Sequence, residues 1–149
     1  MYRRVVPCCH HILLQYTVAL LTKLKMQDIQ DPYLVVGFRC RYSRKHNGFH
    51  PTTSPACEQI EITVVAPEND DFLFYEWLVN RGKLSGSLSY ELPVSPQNGG
   101  GEKRVIDFSD AGCLSVSEHY DISERNRRLI TVVIVPDEVK IDDINVKHL

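Results

Sequence analysis

The sequence predicts a mainly β protein, a small antiparallel β-barrel of about seven to eight strands with one short helix packed against it. Three observations lead there. Polar and apolar residues alternate with a period of two in segment after segment, the spacing that sends successive side chains to opposite faces of a sheet. Turn-forming residues separate those segments, and one block, PENDDFLFYEWLVNRG at Pro67 to Gly82, breaks the period with a dense apolar run. So many strands with a single helix fit a closed or packed sheet rather than βαβ units.

The first strand signals lie between Leu21 and Val64. In LTKLKM, Thr22, Leu24 and Met26 oppose Lys23 and Lys25. In VVGFRCRYS, Val36, Phe38, Cys40 and Tyr42 oppose Arg39, Arg41 and Ser43, and EQIEITV sets Ile60, Ile62 and Val64 against Glu61 and Thr63. Each pattern is that of a half-buried strand. Beyond the helix, Leu88, Tyr90 and Leu92 oppose Ser87, Ser89 and Glu91; Ile106 and Phe108 oppose Asp107; Leu114 and Val116 oppose Ser115 and Ser117. LITVVIV, Leu129 to Val135, is continuously apolar and β-branched, which predicts a strand covered on both faces.

The connections carry their own signals. SPQNGGGEK has Pro96, Asn98 and three glycines and predicts a long hairpin loop. Arg44 to Ala56, with two prolines, predicts a long stretch without structure of its own, a length usually tied to function. The helix is expected to run about three turns, capped by Asn69 or Asp70, favoured at its positive end by Asp70 and Asp71, and stopped by Gly82 as its C′ glycine. It is apolar on nearly every side, whereas one core needs only one apolar stripe. Leu73, Trp77 and Leu78 are therefore expected against the barrel, leaving Phe74 or Tyr75 for a second copy.

Length and composition bound the function. A chain of 149 residues with 43% hydrophobic and 24% charged residues suits one globular domain, here residues 21–149, preceded by an N-terminal extension at 1–20. That extension has Arg3 and Arg4 ahead of an apolar run, but Gln15, Tyr16 and Thr17 interrupt it and Lys23 and Lys25 come at once after it. An extra element covering a barrel end, a weak export signal and an upstream extension from another start codon are the three readings; the first and third are favoured. A net charge of -2 offers no footprint for nucleic acid, and no run approaches the ~18 apolar residues that span a bilayer. Five irregularly spaced cysteines argue for a reducing compartment rather than a disulfide framework.

Candidate chemistry is sparse. Cys8, Cys9, His10 and His11 are metal-ligand types, yet adjacent ligands do not readily wrap one tetrahedral ion and no matching pair occurs later. The triple glycine leads into a strand instead of a helix N-terminus, which excludes a phosphate cradle. Glu118, His119 and Asp121 could supply a general base, but polar residues at a strand end are commonly just solvated. No catalytic residue, cofactor or metal is expected.

The order of features resembles a divergent branch of the tube protein of the type VI secretion system, Hcp. The likeness runs from about Leu21 to His148 and is densest from Ile60 to Tyr120: IEITVV before an acidic helix start, LFYEW at Leu73 to Trp77, a Gly-x-Leu strand, Phe108 to Cys113 as Phe-x-Asp-Ala-x-Cys, and Glu138 to Ile141 near the end. It implies a barrel protomer that forms homohexameric rings stacked into a tube inside a contractile sheath. A spike leads the tube out of the bacterial cytoplasm, and effectors are carried with it. It implies no cofactor, no nucleic acid and no membrane insertion. It also implies that Arg44 to Ala56 reaches the neighbouring ring, so Phe49 and His50 join Phe74 and Tyr75 as candidate subunit-interface residues. The first twenty residues and Val135-Pro136-Asp137 depart from the family pattern, which keeps a specialised ring-forming carrier or chaperone paralogue for one effector as the alternative. A small hydrolase using Glu118, His119 and Asp121 is the third. Tyr75→Asp is expected to weaken assembly more than folding; an unchanged ring in electron micrographs would overturn that expectation.

Overall fold

The computed structural model describes residues 22–68, 71–92, 102–124 and 127–147. Cys8, Cys9, His10, His11 and the rest of the N-terminal extension lie outside them, as do Asn69, Asp70 and the glycine-rich loop at 93–101. The strands are β1 Thr22–Met26, β2 Tyr33–Ser43, β3 His46–Asn47, β4 His50–Pro51 and β5 Ala56–Val65. Helix α1, Leu73–Asn80, precedes β6 Lys83–Glu91, β7 Lys103–Asp121, β8 Arg127–Val135, β9 Glu138–Ile141 and β10 Ile144–Lys147. Eight strands form one antiparallel sheet in the order β10-β9-β7-β6-β1-β2-β5-β8, and β7 also pairs with β8. That second pairing brings the two sides of the sheet together. Among the described residues, the expected barrel forms with one α-helix and a 3-10 turn at Ile122–Glu124.

β7 makes closure possible by its length of 19 residues. Its first half pairs with β6 and with β9, and its second half, from Gly112 opposite Val135 to Asp121 opposite Arg127, pairs with β8. The ends of the glycine-rich loop meet as a hairpin requires, since Leu92 N donates to Glu102 O at 2.8 Å. Alternation did not mark β9 and β10. These two short strands form a hairpin that extends the sheet from β7 and comes close to β5, burying Val139 and Val146.

The core is the inward set of the alternating segments: Leu24 and Met26 of β1, Ile60, Ile62 and Val64 of β5, Leu88 of β6, Ile106 and Phe108 of β7. On β8, Ile130, Val132 and Ile134 are buried, whereas Leu129, Thr131, Val133 and Val135 are only half-buried. The expectation that both faces of this strand are covered is therefore corrected for the isolated chain. Its outer face carries a hydroxyl contact, Thr63 Oγ1 to Thr131 Oγ1 at 2.9 Å, where a fully dry layer would have excluded one.

Bulges account for the other departures from alternation. An extra residue in one strand breaks the period and re-aims the side chains beyond it. Register shifts fall between Val35 and Gly37 on β2 and between Cys113 and Ser115 on β7. Val36 and Leu114, both expected on the inner face, are the bulged residues and stand 43% and 59% exposed. Val35 takes the buried place that the pattern assigned to Val36.

The segment Arg44 to Ala56 is also more ordered than expected. β3 and β4 make a miniature hairpin within it, turning at Gly48, whose φ of 60° suits glycine. Thr52 N donates to Lys45 O and Lys45 N to Thr53 Oγ1, each at 2.8 Å, so the segment forms a closed arm.

Gly86 sits where β6 is crowded by its two neighbours in the sheet, β1 and β7. A Cβ there would lie 2.7 Å from the Lys25 carbonyl oxygen and 2.8 Å from Phe108 Cζ. Gly86→Ala is therefore expected to destabilise the fold by about 1–3 kcal/mol, the usual cost of overpacking. Urea unfolding measures it; an unchanged midpoint would mean that both the Lys25 backbone and the Phe108 ring give way freely.

Candidate assembly surfaces

Helix α1 is fixed at both ends. At its start, Leu73 N donates to Asp71 Oδ1 at 3.0 Å, and the other oxygen of Asp71 accepts a hydrogen bond from the Tyr33 hydroxyl. Phe72 holds the N-cap position without a side-chain cap, and Asp71 just before it accepts from the first helical amide and ties the helix to the first residue of β2; the expected caps Asn69 and Asp70 lie outside the described residues. At its end, Trp77 Nε1 donates to the carbonyls of Ala111 (3.0 Å) and Gly82 (3.1 Å). The helix is eight residues, a little over two turns rather than three, and Arg81, not Gly82, takes the left-handed φ of 53° that terminates it.

These anchors decide which side faces the barrel. Phe74 and Trp77, three apart and so on one face, are 3% and 4% exposed, with the Phe74 ring 5.0 Å from that of Tyr33. Phe74 thus rests on its own barrel, which corrects its expected place as a free contact; Leu73 and Leu78 flank it half-buried. Tyr75 points along the surface and donates to Glu118 Oε2 at 2.5 Å, while Arg128 Nε pairs with Glu118 Oε1 at 2.8 Å. The carboxylate beside it raises the Tyr75 phenol above its ordinary value. Phe72 and Val79 are the exposed apolar residues of this helical region, a role sequence periodicity did not assign to them.

The arm presents Phe49 fully exposed, with His50 next to it, and His46 Nδ1 lies 2.9 Å from Gly48 O, bracing the turn. Among the described residues, the remaining exposed large apolar side chains are Ile122 after β7, Ile144 on β10, Leu34 near the start of β2 and Tyr120 near the end of β7. Nothing in the alternation singles them out, because an apolar residue at a strand end carries no phase information.

Glu118, His119 and Asp121 do not form a poised base. Glu118 is held by Tyr75 and Arg128, and Asp121 accepts from Ser123 Oγ (2.6 Å) and Ser123 N (2.9 Å), which hold its carboxyl below the usual range. Among the described residues, no group of three or more His, Cys, Asp and Glu side chains could hold a metal ion, and no helix is long and apolar enough to cross a membrane.

Burial first, and then the hydrogen bond to Asp71, raise the Tyr33 phenol well above its ordinary value of 10.0. Its neutral form is the one the fold favours, so this contribution is fully present below pH 10 and is lost as pH rises beyond it. The urea midpoint is expected to fall from pH 9 to pH 11, and less steeply in Tyr33→Phe. Equal slopes in the two proteins would show that Tyr33 is not responsible.

With the geometry in place, comparison with known proteins identifies the fold. The family model for hemolysin coregulated protein Hcp (TssD) matches residues 18–148. Among solved structures, Hcp1 from Flavobacterium johnsoniae superposes with a TM-score of 0.65 at 17% identity, covering 86% of this chain and 99% of that one. Hcp1 from E. coli EAEC 042 gives 0.60 at 13% identity, covering 87% and 97%. The secreted protein Hcp3 from Pseudomonas aeruginosa gives 0.55 at 12% identity, covering 79% and 86%. No curated protein matches. With nearly its whole length matched by one family model and its barrel shared with these structures, the chain belongs to the Hcp (TssD) family.

Proposed function

We propose that this protein is a self-assembling subunit of the type VI secretion tube, forming hexameric rings that stack and are propelled from the cell. The family match over residues 18–148 carries this assignment. The surface supports it physically. Val79, Leu114, Ile122 and Ile144 are all more than half exposed on a domain whose core is already filled. Exposed apolar area is stabilised when a partner surface covers it, and in a self-assembling subunit that partner is another copy. In a ring such contacts are heterologous, two different patches of each copy meeting and closing by rotation.

In this role Tyr75, Phe49 and His50 lie at subunit contacts, and Phe74 supports them from beneath by seating α1. The subunit is made in the bacterial cytoplasm and leaves within the tube, with the contractile sheath, the spike and effectors as its partners. The function is mechanical, with no catalytic step and no cofactor.

The test is the size and shape of the purified full chain, by native mass spectrometry and electron microscopy. A ring of six copies is expected. A chain that stays monomeric at high concentration would overturn the proposal.

A further inference from the structure

β1 and β2 are neighbours of unequal length, 5 residues against 11. β1 pairs with Tyr33, Leu34 and Val35, whereas β5 follows β2 from Val35 to Ser43. From Gly37 to Ser43, therefore, β2 has a strand on one side and, among the described residues, none on the other. An edge within a barrel wall leaves backbone N–H and C=O groups without partners, and folded chains pair or cover such an edge. The inner side of this stretch is not that of a solvated edge. Phe38, Cys40 and Tyr42 are half-buried and pack against the core, as does Tyr90 of β6. Phe38 and Tyr90 come from the strands on either side of β1, and their rings meet at 5.1 Å. Tyr42 also buries its hydroxyl, next to the Cys40 thiol.

The chain ahead of β1 fits this edge in phase, length and charge. Leu24 and Met26 of β1 are buried, and Lys23 and Lys25 are exposed. Upstream, Leu20, Val18, Tyr16 and Leu14 fall in the buried phase; Ala19, Thr17 and Gln15 fall in the exposed one, with Leu21 the exception. Thr22 pairs with Val35, and the bulge at Val36 adds one residue to β2. Continued past that bulge, the register sets Leu20 opposite Phe38, Val18 opposite Cys40 and Tyr16 opposite Tyr42, inner residue against inner residue. Gln15 to Leu21 then matches Gly37 to Ser43 residue for residue. On the outer face Ala19 and Thr17 fall opposite Arg39 and Arg41, where another cation would be repelled.

We propose that Gln15 to Leu21 continues β1 upstream along the free side of β2 and completes the barrel wall, with Leu20, Val18 and Tyr16 facing inward beside Phe38, Cys40 and Tyr42. The contact lies within one chain. It therefore goes beyond the tube assignment and stands or falls independently of it.

Hydrogen exchange of the full wild-type chain, read by mass spectrometry of its peptides, tests the pairing. Peptides spanning Gln15 to Leu21 are expected to exchange at least roughly tenfold more slowly than an unstructured peptide, at every protein concentration. Exchange at the unstructured rate overturns the proposal. So does protection that appears only as concentration rises, because a second copy would then be filling the edge. Two adjacent variants test the register. Val18→Glu sets a carboxylate against the inner face and is expected to speed alkylation of the Cys40 thiol by iodoacetamide roughly tenfold. Ala19→Glu, facing outward beside Arg39, is expected to leave that rate within about twofold. Cys113 on β7 serves as the internal reference and is expected to react unchanged in both. Equal effects at positions 18 and 19 overturn the register. If Val18→Glu speeds Cys113 as well, the chain has unfolded, and Val18→Thr replaces it: faster labelling of Cys40 alone supports the pairing, and an unchanged rate overturns it.

Discussion

A barrel of this kind closes only if some strand finds partners on both sides of the sheet, and here that requirement falls on β7. Nineteen consecutive residues serve β6 and β9 in the first half and β8 in the second. The change of partner occurs around Ala111 and Gly112, both small, and next to the bulge at Leu114. Trp77 donates its indole N–H to the Ala111 carbonyl at that place, so the helix is anchored where the strand changes partners. A buried carbonyl left unpaired costs about 1–3 kcal/mol, and at this changeover the indole supplies Ala111 with a donor. Barrel closure and helix docking are thus one structural event.

Closure then sets what the surface offers. Once the inner phase of each strand is used, apolar residues in the other phase, on bulges or at strand ends remain outside. Val36 and Leu114 are exposed by bulges, Ile122 and Ile144 by position, and β8 keeps a half-buried outer face. For a lone globular domain these are liabilities; for a subunit they are contact area. The polar groups show the same division of labour. Lys83 of β6 pairs with Asp137 in the bend between β8 and β9 at 2.7 Å, while among the described residues the side chains of Arg44, Lys45, Asp28 and Asp31 make no ion pair.

The candidate surface was only partly legible in the sequence. The apolar excess of α1 was visible, but its orientation was not: Phe74 and Trp77 face inward because Asp71 and Ala111 hold the two ends of the helix, and both anchors come from outside it. Tyr75 does reach the surface, with its hydroxyl held by Glu118, 43 residues away in sequence. Phe49 and His50 lie in an arm whose composition suggested no structure, yet Gly48 and two short hydrogen bonds fold it back on itself.

By itself the sequence determined the regular alternating strands, the helix that follows β5, the inner residues of those segments and the family. Those rest on period-two alternation, turn residues and a long motif pattern, all of them local along the chain. Only the tertiary structure decided the pairing of β7 with β8, the two bulges, the place of the C-terminal hairpin and the inward turn of Phe74. Each of these depends on which distant segment supplies the opposing hydrogen-bond partner or the opposing apolar face, and a one-residue shift in that pairing reverses a side chain's direction without changing the sequence pattern around it.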